Sequence, residues 1–155
     1  MGLDCSLVIG TVRGGDGHAW NMVSVNDNWY YLDATWGDAF YLFGEGEQAQ
    51  KQKAATVNYD YLCVTTQQVE LTHTIDMPVA MPICNTLVDN YYVREGLYFE
   101  QYDEVRIQEI FASAMAEEKE TLTLKCADSS VYESVRTELL TNQKIFEFLQ
   151  TEDGF

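Results

Sequence analysis

Residues 18–25 (HAWNMVSV), the pair Asn26-Asp27 and residues 28–33 (NWYYLD) decide the fold of this chain. Both flanking runs are rich in aromatic and β-branched residues, and an Asn-Asp pair between such runs favours a two-residue turn. The sequence therefore predicts an antiparallel hairpin in which Trp20 faces Asp33. Because side chains alternate faces along a strand, His18 and Asp33 then project from one face as diagonal neighbours.

An imidazole beside a carboxylate is the first chemical feature of this hairpin. A buried carboxylate fixes the tautomer of the histidine and stabilises its imidazolium, as a general base beside a nucleophile requires. Such a pair on a hairpin is also often purely structural, and a three-residue turn would place His18 and Asp33 on opposite faces. His73, the only other histidine, is interpreted as structural, with a supporting or loop role as the alternative.

The hairpin resembles a known family. Residues 18–21 (HAWN) and 29–38 (WYYLDATWGD) match the histidine–aspartate hairpin of the transglutaminase-like superfamily in residue type and spacing. The resemblance implies a papain-like fold with a Cys-His-Asp triad that performs acyl transfer or amide hydrolysis. It implies His18 as the general base, Asp33 as its orienting partner, and Trp20 and Trp36 as walls of the substrate groove.

The nucleophile of that family is the missing part. It lies at the start of a helix upstream of the first strand, and residues 1–155 contain no such helix ahead of His18. We therefore expect a carboxy-terminal portion of the domain that is inactive as given. Cys5 lies within a predicted strand, and Cys63 and Cys84 would need a circular permutation. Cys5 and Cys126 are interpreted as small buried hydrophobes, and Cys63 and Cys84 as free thiols or one disulfide.

Composition limits the partners. The 155 residues are 46% hydrophobic and 22% charged, which is typical of a globular protein. A net charge of −16 disfavours nucleic acid and anionic membrane surfaces, and no apolar run is long enough to span a bilayer. Asp16, Asp27 and Asp38 lack the spacing of a calcium loop, so we expect no metal and no other cofactor. We expect a soluble chain without a signal peptide, from a secreted or cell-surface parent.

The predicted fold class is α+β, an antiparallel sheet followed by a small strand–helix tail. We predict a partial transglutaminase-like core over residues 1–100 and a tail over residues 101–155 packed on that core. Residues 90–99 (NYYVREGLYF) also resemble the region after the triad in surface-anchored transglutaminase-like proteins of Gram-positive gut bacteria. Further strands are predicted at 3–12, 59–64 and 121–126, with a long loop at 34–58 and a non-helical link at 78–90. A capping box is predicted at Thr65–Gln68, and a second one at Ser130 and Glu133 opens a helix that ends near Asn142. A helix is also predicted at 103–118, and a last helical turn at 145–149.

Two further expectations concern function and assembly. The first is a truncated cysteine acyltransferase or protease-type domain for a protein or peptide substrate. The alternatives are a non-catalytic peptide- or cell-wall-binding module and a purely structural fragment. Without the nucleophile helix, the face carrying His18, Trp20 and Tyr31 is expected to expose an apolar patch, which predicts a homodimer.

Overall fold

The fold is given by a computed structural model of the chain, described over residues 2–38 and 57–148. It is an α+β protein with two compact units, Met1–Arg94 and Glu95–Phe155. This division falls slightly before the boundary predicted after residue 100. The predicted packing of the tail on the core stays a prediction, and most of the predicted 34–58 loop lies outside the described residues.

The first unit is built on a five-stranded antiparallel sheet in the order β4-β3-β2-β1-β5. Short helical segments connect or follow the last two strands. The elements are β1 (Cys5–Val12), β2 (Gly17–Val25), β3 (Asn28–Leu32), a 3-10 turn (Tyr59–Tyr61), β4 (Leu62–Val64), α1 (Thr66–Val69), β5 (His73–Ile75) and α2 (Tyr91–Arg94).

The predicted hairpin is confirmed. Strands β2 and β3 pair with Asn21 opposite Leu32 and Val25 opposite Asn28, which leaves Asn26 and Asp27 as the two turn residues. Both turn residues have positive φ angles, 50° and 64°. Such a turn matches the right-handed twist of the strands, and Asn and Asp tolerate this backbone region better than other non-glycine residues.

The sheet face that carries the histidine is covered by the chain itself. Trp20, Met22 and Tyr31 are at most 2% exposed and form a core with Val64, Cys84 and others. The expectation of an exposed aromatic patch was therefore wrong, because segment 62–84 supplies the cover that we assigned to a missing helix. The prediction of a homodimer was based on that exposed patch and so loses its support. Dimer formation itself stays a prediction. Exposed apolar side chains of β1 lie on the opposite face, at Leu7 and Ile9.

Gly10 allows the edge strand β5 to approach the sheet. It lies in β1 opposite both His18 of β2 and Ile75 of β5. A Cβ atom at this position would lie 1.9 Å from the carbonyl oxygen of Thr74 and 2.8 Å from the ring of Trp20. Only glycine leaves space for both neighbours, so this position controls where β5 sits.

Three other predictions for the first unit were made from short sequence patterns. Thr65 and Gln68 form the predicted capping box, in which each side chain accepts from the other's backbone N–H. The predicted strand at 59–64 is a 3-10 turn followed by the three-residue β4. No described residue of the 78–90 link is helical, as predicted.

In the described part of the second unit, residues 95–148, three α-helices and a two-stranded parallel sheet surround a separate core. The helix predicted at 103–118 is present as α3, from Glu104 to Ala116 with Asp103 as its N-cap. The N-cap of α4 is Asp128 rather than Ser130, and the predicted strand at 121–126 has only two strand residues. The elements are β6 (Tyr98–Phe99), α3 (Glu104–Ala116), β7 (Lys125–Cys126), α4 (Ser129–Arg136), a π-helical turn (Thr137–Thr141) that ends before the C-cap Asn142, and α5 (Lys144–Phe148). The core residues are Phe99, Ile107, Val131, Val135 and Leu139.

Among the helices of residues 2–38 and 57–148, none is both long and apolar enough to cross a membrane.

We expect Gly10→Ala to lower the free energy of unfolding by about 2 kcal/mol, because the added methyl group displaces the Thr74 carbonyl. Gly17→Ala is the matched control, since a Cβ atom there meets nothing within 4 Å. Urea unfolding followed by tryptophan fluorescence measures both variants. Equal stabilities for the two variants would contradict the close approach of β5.

Candidate functional site

Asp33 is the centre of the site. It follows β3 directly, its residue is 2% exposed, and its backbone N–H donates to the carbonyl of Tyr61. Carboxylate Oδ1 accepts hydrogen bonds from the backbone N–H groups of Thr35 at 2.9 Å and Trp36 at 3.1 Å. This local turn is a common conformation for aspartate, and it fixes the rotamer so that Oδ2 points towards the sheet face.

His18 meets Asp33 as predicted. It is the second residue of β2, and its Nε2 lies 2.7 Å from Asp33 Oδ2. The predicted diagonal contact across the hairpin is therefore present, at a hydrogen-bond distance. The side chain of His18 is 15% exposed, so this ring is the member of the pair that solvent reaches.

His73 is the site residue whose role the sequence did not reveal. Its Nε2 lies 3.0 Å from the same Oδ2 atom, and its side chain is fully buried. It begins β5 and pairs with Val12, so its position depends on a long-range strand pairing. The available signal was that His73 is the only histidine besides His18.

Aromatic rings enclose His73. The ring centroid of Trp20 lies 4.8 Å away, that of Trp36 4.9 Å and that of Tyr61 5.5 Å. Trp20 belongs to the core, and Trp36 is half-buried beside His18. The indole Nε1 atoms of both tryptophans are buried and lack a hydrogen-bond partner among the described residues. The predicted role of Trp20 and Trp36 as groove walls stays a prediction.

The donors around Asp33 determine where the protons of the site lie. An ionised carboxylate only accepts, and Asp33 has four neighbouring donors: two backbone N–H groups and two imidazole nitrogens. Both histidines therefore carry a proton on Nε2. Nδ1 of His18 makes no hydrogen bond within the described residues, so a neutral His18 presents a lone pair there. This is the protonation state of a general base.

The same three side chains are of the types that bind metal ions. His18, Asp33 and His73 are the one group of potential ligands that converges within the described parts of the chain, with ligand atoms within 4.8 Å of one another. However, the Nε2–Oδ2 distances of 2.7 and 3.0 Å are those of hydrogen bonds. Two protons therefore suffice to hold the cluster together, and this geometry does not call for an ion.

Cysteines of the first unit are poorly placed to act as a nucleophile. Cys5 is exposed rather than buried as expected, and it lies on the sheet face opposite His18. Cys63 and Cys84 are buried free thiols in two different core clusters. Burial raises the pKa of Cys63, and it raises the pKa of Cys84 to about 11.

Cys126 belongs to the second unit, in β7. It is a half-buried free thiol, and burial raises its pKa above the ordinary value. All four cysteines are therefore free, which decides between the two alternatives left open for Cys63 and Cys84.

No protein-family model matches the chain, and no curated protein matches it.

The thiols are expected to separate by reactivity. At pH 7.5, a thiol with a pKa of about 11 is about 0.03% thiolate, against about 10% for an unperturbed thiol. We expect Ellman's reagent to label the exposed Cys5 rapidly and Cys84 only after denaturation. The fast phase should disappear in Cys5→Ser, as peptide mass analysis can verify. Rapid labelling of Cys84 in the native protein would contradict its placement in the core.

Proposed function

We propose that this chain carries the general base and the orienting carboxylate of a papain-like Cys-His-Asp site for acyl transfer or amide hydrolysis. His18 is the base and Asp33 its partner. The supporting observation is the 2.7 Å contact between His18 Nε2 and a carboxylate that is 2% exposed, which leaves Nδ1 with a lone pair. The resemblance of the hairpin to the transglutaminase-like superfamily supports the same assignment.

In this proposal, His18 Nδ1 takes the proton of a cysteine thiol, and the thiolate attacks the carbonyl carbon of a glutamine side chain or a peptide bond. The imidazolium then gives its proton to the departing nitrogen as the carbon–nitrogen bond breaks, which leaves an acyl-thioester. An amine or water attacks the thioester and loses its proton to His18, and the thiolate departs. Asp33 stabilises the imidazolium through Nε2 and does not itself gain the proton.

The proposal takes the nucleophilic cysteine from outside residues 1–155. Cys5 lies on the sheet face opposite His18, which does not favour it as the nucleophile. Burial raises the pKa of Cys63, Cys84 and Cys126, which disfavours their thiolates. In the family that the hairpin resembles, the cysteine begins a helix, where the helix dipole favours the thiolate. A protein of this type at a bacterial cell surface is the biological setting that the resemblance implies.

The test compares the 155-residue chain with the polypeptide extended to include the coding sequence upstream of Met1. Incorporation of a fluorescent amine into a glutamine peptide and hydrolysis of the same peptide are both measured. We expect no turnover by the 155-residue chain, and turnover by the extended protein that falls about 10³-fold or more in His18→Ala.

The matched control is Asp76→Ala, which removes an exposed carboxylate two residues after Thr74 and should leave turnover unchanged. Turnover by the 155-residue chain itself, or turnover of the extended protein that is insensitive to His18→Ala, would overturn the proposal. An upstream sequence without cysteine would overturn it as well.

A binding module is the second candidate, favoured by an open groove of about 540 Å³ on the first unit. The described lining includes neither His18 nor Asp33, so ligand binding there would not need the triad. Its lining residues are Tyr31, Thr65, Thr66, Gln67, Glu70, Ile75, Met81, Pro82, Ile83, Cys84 and Asn85. Peptide-induced NMR shifts confined to these residues, and unchanged in Asp33→Asn, would favour this candidate over the first.

A further inference from the structure

A chain of hydrogen bonds runs from Tyr61 to His18. The hydroxyl of Tyr61 lies 3.2 Å from Thr72 Oγ1, which lies 2.9 Å from His73 Nδ1. The other ring nitrogen of His73 lies 3.0 Å from Asp33 Oδ2, and the same oxygen lies 2.7 Å from His18 Nε2. Four hydrogen bonds thus connect a tyrosine of the 3-10 turn to the solvent-accessible imidazole.

The chain has one consistent direction when both imidazoles are neutral. Asp33 accepts only, so His73 donates from Nε2 and must accept at Nδ1. The hydroxyl of Thr72 therefore donates to His73 at 2.9 Å rather than to the more distant carbonyl of Val69 at 3.5 Å, and its oxygen accepts from Tyr61. Burial raises the pKa of Tyr61 above its ordinary value, so this phenol keeps the proton that it donates.

We infer that His73 is a positioning residue whose Nε2–H occupies one side of Asp33 Oδ2, so that His18 binds the carboxylate in a single orientation and directs its Nδ1 lone pair outward. A carboxylate oxygen accepts about two hydrogen bonds in its plane. With His73 on one position, a single position is left for His18. Without His73, the His18 ring can bind at either acceptor position of Asp33 Oδ2, and a water molecule can reach the position that is left free.

Packing alone is a competing explanation, because His73 also fills a space between Trp20 and Trp36. Two substitutions separate the explanations. His73→Phe keeps a ring in that space and removes the donor. His73→Gln removes the ring and places an amide N–H near the position of Nε2. A positioning role tolerates the glutamine, whereas a packing role tolerates the phenylalanine.

The readout is the Nε2–H proton of His18 in the 155-residue chain with ¹⁵N-labelled histidine, at about pH 8, above the usual titration range of histidine. We expect this proton to exchange with water about tenfold faster in His73→Phe than in the unmodified chain, and to change less than about twofold in His73→Gln. The long-range ¹H–¹⁵N spectrum gives the tautomer of His18 in the same samples. It should be mixed in His73→Phe and remain Nε2–H in His73→Gln.

A second pair of variants keeps the test decisive if either His73 variant is unfolded. Thr72→Val is isosteric but lacks the hydroxyl, and Thr72→Ser retains it. We expect the Nδ1 nitrogen of His73 to move towards the shift of a free lone pair in Thr72→Val and to be unchanged in Thr72→Ser. Retention of the His18 signal in His73→Phe with its loss in His73→Gln would overturn the inference, as would equal Nδ1 shifts in the two Thr72 variants.

The importance of this orientation for catalysis rests on the proposed base function of His18. The spectra report hydrogen bonding in the absence of turnover, so failure of this inference is distinguishable from failure of the proposed function.

Discussion

The burial of the Asp33 carboxylate is the constraint on which the first unit depends. A carboxylate at 2% exposure is unfavourable unless donors surround it, and here two backbone N–H groups and two imidazoles do so. These donors come from the turn after β3, from β2 and from β5. The side chain of Asp33 therefore connects the turn after β3 to His18 of β2 and His73 of β5.

The need to bring β5 close explains features elsewhere in the sheet. Gly10 leaves space for the backbone of Thr74, and the capping box at Thr65 begins the short helix that leads to β5. Segment 62–84 also covers Trp20, so the same connection that delivers His73 closes the core. The site and the core of this unit are thus produced by one piece of chain.

The hairpin and the contact of His18 with Asp33 were predictable from sequence because both follow from a two-residue turn and strand alternation. The place of His73 was not, since it depends on pairing between β1 and β5, which are about sixty residues apart in sequence. The buried face was misjudged for the same reason. The N-cap residue of α4 was predicted wrongly for a different reason: Asp128 and Ser130 are both good N-cap residues, and sequence alone does not rank them.

The most direct test of the central role of Asp33 is the unfolding free energy of Asp33→Ala, measured with urea beside Asp76→Ala, which removes an exposed carboxylate. Removal of Asp33 leaves four donors without their acceptor, among them the fully buried His73, so we expect a loss of about 3 kcal/mol or more. The Asp76 variant should stay within about 0.5 kcal/mol of the unmodified protein. Equal stabilities of the two variants would contradict the account.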